Sequence, residues 1–166
     1  YSYPLPDGPK VEVVGGDSSP GYPQISGRWV TWTEGGPWEE NPEETWLITI
    51  FGVQVNARGE PEGDPAELVP AAIAYVIGDA TWTYSLSDGR LAWESLETVE
   101  GSESGLHVMD LGSFQPQRVG AEAWHPALAG DSLVYRGDGL EVMNLETGSV
   151  RQIDTDGDFP AAGPTF

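Results

Sequence analysis

The side chains best placed to do chemistry in this 166-residue chain are carboxylates, and they cluster. "DTDGD" sets Asp154, Asp156 and Asp158 at alternate positions, the spacing by which oxygen-rich loops hold Ca²⁺. An EF-hand loop starting at Asp154 would need Gly at its sixth position and Glu at its twelfth, where the chain has Phe159 and Thr165. The expectation is therefore a solvated Asp/Gly turn, with weak Ca²⁺ binding on Asp154, Asp156 and Asp158 as the alternative and no other cofactor. "PWEE" places Trp38 beside Glu39 and Glu40 in an acidic insertion. A loop Trp flanked by carboxylates can stack on a sugar or grip a cationic partner, or it can fold back over the strand edge beside it. Trp38, Glu39 and Glu40 are the candidate ligand-binding residues.

Other chemistry finds less footing. His107 and His125 belong to different elements, each without a His or Cys neighbour, and the chain has no cysteine, so thiolate metal sites and disulfides are excluded. "RGD" (136–138) has the form of an adhesion ligand, but Gly and Asp between Tyr135 and Leu140 are what a tight turn requires. No Gly-x-Ser-x-Gly elbow and no phosphate-cradling Gly loop occurs, so no catalytic residue is assigned. A carboxylate pair of the glycosidase kind converges only in space, and 27 acidic residues give no means of choosing two.

That acidity narrows the partners. Seven basic residues against 27 acidic ones leave a net charge of −20, which repels phosphate backbones and anionic membrane surfaces. Nucleic acid and membrane partners are thus not expected. Apolar content of 39% is enough for a core, and the 22 Gly and 14 Pro imply many short segments joined by turns.

What positions these residues is a repeat. "GLHVMDL" (105–111) returns without a gap as "GLEVMNL" (139–145), and the same offset carries Val119 onto Ile153 and Pro126 onto Pro160. "LSDGRLAW" (86–93) matches "LAGDSLVY" (128–135) at a somewhat longer offset, and "ISGRWVTW" (25–32) fits the same template further upstream. Each of the three runs from an aliphatic residue through a Gly turn to Trp32, Trp93 or Tyr135. These short, aliphatic and aromatic segments read as strands, with a hairpin at Thr147-Gly148. "TWLITIF" (45–51) is the expected counterpart of "LHVMDL", and "ESLETVEGSES" (94–104) reads as loop. Links ending in Tyr22-Pro23, His125-Pro126 and Phe159-Pro160 open successive units. No extended stretch holds a helical period; "DPAELVPAAIAYV" (64–76) comes nearest and Pro70 interrupts it.

Four short strands per unit, with the unit repeated, predict an all-β fold of β-propeller type, built from four-stranded antiparallel blades. The "P-x-aliphatic-S/A-G-x-x-V-x-W" strand and the later "V-x-D/N-L-x-T-G" hairpin resemble TolB-like and related propellers. They are carried by Pro23–Trp32, Leu86–Trp93, Pro126–Tyr135 and Val142–Gly148. The resemblance implies architecture and is silent on ligand. Residues 1–166 then form one domain: an outer strand of a preceding blade at 10–22, units at 23–83, 84–125 and 126–159, and the start of a further blade at 160–166. Three blades make an incomplete ring, so the remaining blades of a longer parent chain, a second copy or another protein are the expected partners. The expected role is a non-catalytic binding or scaffolding module presenting loops to a protein or glycan, in an extracellular or periplasmic setting. The alternative is a carbohydrate-active or other hydrolytic propeller enzyme using acidic residues.

Overall fold

In the computed structural model, described for residues 21–37, 45–75, 84–95, 97–98 and 104–155, every regular element is a strand. β1 (Gly21–Ser26), β2 (Trp29–Pro37), β3 (Thr45–Gln54) and β4 (Ala66–Tyr75) pair in order as the first antiparallel sheet. The second sheet is β5 (Tyr84–Ser87), β6 (Arg90–Ser95), β8 (Gly105–Asp110) and β9 (Gln115–Gly120). The third is β10 (Trp124–Ala129), β11 (Ser132–Arg136), β12 (Leu140–Asn144) and β13 (Val150–Asp154). The short β7 (Glu97–Thr98) adds a fifth strand to the first sheet by pairing with β4. The fold is all-β: repeated four-stranded antiparallel sheets, as the repeat predicts.

The template survives in the register. Trp32 faces Phe51 across β2 and β3, Trp93 faces His107 across β6 and β8, and Tyr135 faces Glu141 across β11 and β12. All three aromatics are buried, at 2%, 7% and 5% exposure, so they hold equivalent core positions. "TWLITIF" lies in β3, which holds the place of β8, but the register aligns "IFGVQV" (50–55) with "LHVMDL". The turns repeat too: Val55 N–H donates to Arg28 O, Leu111 N–H to Gly89 O and Leu145 N–H to Asp131 O, at 2.7, 2.8 and 2.8 Å. The returning Gly105 and Gly139 have φ of +123° and +141°, and a Cβ on either would run into the backbone carbonyl of Gly120 or Asp154. Glycine recurs there because two strands approach too closely for any side chain.

Two links begin alike. Tyr22 and His125, each before a proline, take left-handed φ of 47° and 54° inside bulges that shift the first hairpin of their sheets. A non-glycine residue there is strained by about 1–3 kcal/mol and persists only when held. The Tyr84 hydroxyl donates to Tyr22 O, and Glu94 Oε2 accepts the His125 N–H at 3.3 Å.

The first sheet places one ambiguous segment and corrects one expectation. "DPAELVPAAIAYV", in which Pro70 broke the helical period, supplies β4, with Pro70 at an irregularity between Val69 and Ala72 where the ladder needs no donor. The segment expected as pure loop between Trp93 and Gly105 contributes β7, so a piece of the second unit crosses back to the first sheet.

The first strands of the three sheets, β1, β5 and β10, lie side by side, and polar side chains lace them together. From β1, Gln24 Oε1 and Ser26 Oγ accept the N–H groups of Leu86 and Asp88 on β5, at 2.8 and 2.9 Å. From β5, Ser85 Oγ and Ser87 Oγ accept those of Leu128 and Gly130 on β10, at 3.0 and 3.2 Å. The offset that carries Ile25 onto Leu86 also carries Gln24 onto Ser85 and Ser26 onto Ser87, so the rung is part of the repeat. Each bond contributes about 1 kcal/mol and fixes the height of one sheet against the next.

Candidate functional site

The two interfaces between sheets use the same template positions with different outcomes. Between the first and second sheets, Ile50, Leu68, Val69, Tyr84, Leu86, Leu91, Trp93, Met109 and Leu111 form one buried cluster. Its outer end is closed by Trp29, whose ring meets that of Phe114 edge-on, centroids 6.1 Å apart and planes at 78°. Between the second and third sheets, Ala92, Leu106, Ala123, Leu128, Leu133 and Tyr135 are buried, but Val108, Val119, Met143 and Leu145 are only partly so.

Those four half-buried side chains floor a cleft of about 380 Å³. Arg90, Asp110, Ser113, Gln115, Gln117 and Arg118 form its rim on the second sheet, and Gly148 closes it on the third. Turn geometry places the rim. Asp110 Oδ1 accepts the Gly112 N–H at 2.7 Å in the turn before β9, and Asn144 Oδ1 accepts from Thr147 at 2.8 Å in the turn before β13. Asn144 is the repeat counterpart of Asp110, so the cleft lies between two copies of one turn. Arg90 bonds Gly130 O at 3.3 Å and pairs with Asp131, which ties it to the turn of the third sheet. Arg118 Nη2 donates to Ser104 O at 2.6 Å. Two of the seven basic residues of a strongly acidic chain thus border one opening.

Two buried phenols belong to these interfaces. Burial raises the Tyr84 pKa above its ordinary value, partly offset by the Thr31 hydroxyl at 3.4 Å. Burial also raises that of Tyr135, and the hydrogen bond to Glu141 and its charge push further the same way. Both phenols are held protonated as structural donors.

Of the residues singled out from sequence, none that the structure describes lines the cleft. Trp38, Glu39, Glu40, Asp156 and Asp158 lie outside the described residues. Asp154 ends β13, exposed, opposite Leu140. No group of three potential metal-binding side chains occurs among the described residues. His107 stacks on Trp93 at 5.4 Å and 16°, and His125 sits 3.9 Å from Glu94 through Nδ1; neither reaches the cleft. The Arg136-Gly137-Asp138 stretch is the turn from β11 to β12, closed by Gly137 N–H to Gly139 O at 2.8 Å. Sequence reasoning missed Arg90, Arg118 and Gly148. The available signal was that Arg90 and Gly148 depart from Trp29 and Phe114 at template positions. Comparison with known proteins finds no matching family, no matching curated protein and no matching solved structure.

Proposed function

We propose that this chain is a non-catalytic binding module of β-propeller type, and that its contact region is the cleft between the second and third sheets. The observation that carries the reading is the rung of Gln24 and Ser26, repeated as Ser85 and Ser87, which sets the first strands of successive sheets side by side at one height. Sheets laced in this way turn about a shared line and bring equivalent turns to one face, where binding side chains can differ without disturbing the core. Around the cleft the template positions have changed in just that manner. A protein ligand fits this surface better than a glycan, because a sugar stacks best on an aromatic face and no aromatic side chain lines the cleft among the described residues. The first sheet supports the ring reading at its other side: Ile25, 71% exposed, occupies the place of buried Leu86 and Leu128. A further sheet of the same kind would cover it. The test is a selection of displayed peptides against the chain, run beside a glycan array and a panel of glycosidic substrates. Enriched peptides without glycan binding are expected; hydrolysis of any substrate, or glycan binding alone, overturns the proposal.

A further inference from the structure

The cleft is open where the neighbouring interface carries a plug. In the first interface the plug is Trp29 against Phe114. The offset that carries Gln24 onto Ser85 carries Trp29 onto Arg90, and the offset that carries Gly105 onto Gly139 carries Phe114 onto Gly148. Both rings are therefore missing from the second interface at once. The side chains beneath respond as unplugged core would. Met109 and Leu111 are 3% and 1% exposed, whereas their counterparts Met143 and Leu145 are half-buried and line the cleft. Arg90 does not fill the gap, since its guanidinium is drawn to Gly130 O and Asp131. What remains is an open cleft of about 380 Å³ with an apolar floor, large enough to admit an aromatic side chain.

We infer that this socket receives a tryptophan or tyrosine side chain from a segment of a protein partner, which takes the place of the missing plug. The inference rests on the binding-module reading and names its anchor. Val108, Val119 and Leu145 supply apolar contact, and the Met143 sulfur suits an aromatic edge. With their N–H groups anchored, Arg90 and Arg118 offer a ring the face of a guanidinium. Gln115 and Gln117 on the exposed strand β9 can accept from an indole N–H or a phenol O–H. An aromatic anchor with a polar tip in a pocket rimmed by arginine and amides is the usual composition of an interface hot spot.

The chain contains only two methionines, one at each interface, so methyl resonances report on both. N-acetyl-tryptophan amide at millimolar concentration should shift the Met143 methyl saturably and leave Met109 unmoved. Gly148→Phe should abolish the shift: Phe114 already takes φ +54° at the equivalent position, and a Cβ on Gly148 meets nothing within 4 Å. Gln117→Trp fills the socket from the other wall without touching that turn, and it should give the same loss. Peptides selected on the parent chain should carry Trp or Tyr and bind Gly148→Phe at least about tenfold more weakly, the scale of one lost hot-spot contact. An unmoved Met143, equal shifts at both methionines, or a shift that survives both variants overturns the inference. Peptides that bind parent and plugged variants equally also overturn it, while leaving the binding-module reading standing. A Met143 response with no peptide enriched overturns the binding-module reading and the protein partner with it, leaving only a socket that takes a free aromatic ring.

Discussion

The two inter-sheet interfaces differ in what two template positions carry, and everything beneath those positions follows. Where Trp29 and Phe114 meet, the core below is continuous and buried; where Arg90 and Gly148 stand, the same core opens to a cleft. The rungs between the first strands of successive sheets are common to both. On the proposed reading the repeat separates two tasks, holding the sheets in register at their first strands and admitting or excluding a ligand at the far end. A repeat unit can exchange its plug for a socket without disturbing its neighbours' pairing.

The largest expected effect falls on the filled interface. Trp93→Ala empties a site 7% exposed and stacked on His107, and should cost about 3–5 kcal/mol in denaturant unfolding. A variant as stable as the parent would break the equivalence of Trp32, Trp93 and Tyr135. A matched pair sharpens the comparison. Leu111→Ala should cost about 2–5 kcal/mol, and Leu145→Ala, at the same template position beside the open cleft, about 1 kcal/mol. Equal losses would mean that the second interface is as closed as the first.

Much of this was legible in sequence, and the reasons for what was not are physical. The three aromatic positions, the Gly turns and the Thr147-Gly148 hairpin follow from local strand and turn chemistry, and the structure keeps them in register. Gly105 and Gly139 announced a shared strain whose cause, a carbonyl on the adjacent strand, is visible only in three dimensions. β4 was hidden because Pro70 and a run of small apolar residues fit neither strand nor helix until the irregularity beside Val69 is seen. β7 was hidden because so short a strand carries no period. The cleft needed the most: the changes at Arg90 and Gly148 are written in the repeat, but that Trp29 and Phe114 touch across sheets is a tertiary fact. Of the acidic clusters, only Asp154 lies among the described residues, exposed at the end of β13.

A smaller effect lies at high pH. Both Tyr84 and Tyr135 have folded pKa values raised above the unfolded 10.0, so their contribution is intact below about pH 10 and is lost as pH rises beyond it. Each group can lower stability by at most about 1.4 kcal/mol per pH unit above that point. Tyr135→Phe should flatten the decline at the second interface and Tyr84→Phe at the first, measured by urea unfolding between about pH 9 and 11. A decline unchanged in both variants would show that neither phenol is held protonated.

The central claim, one template plugged at one interface and open at the other, is tested most directly at the two methionine methyls. A soluble nitroxide should broaden the Met143 resonance strongly and spare Met109, and Trp29→Arg with Phe114→Gly should make Met109 behave like Met143. Equal broadening of the two methyls in the parent chain would contradict the account.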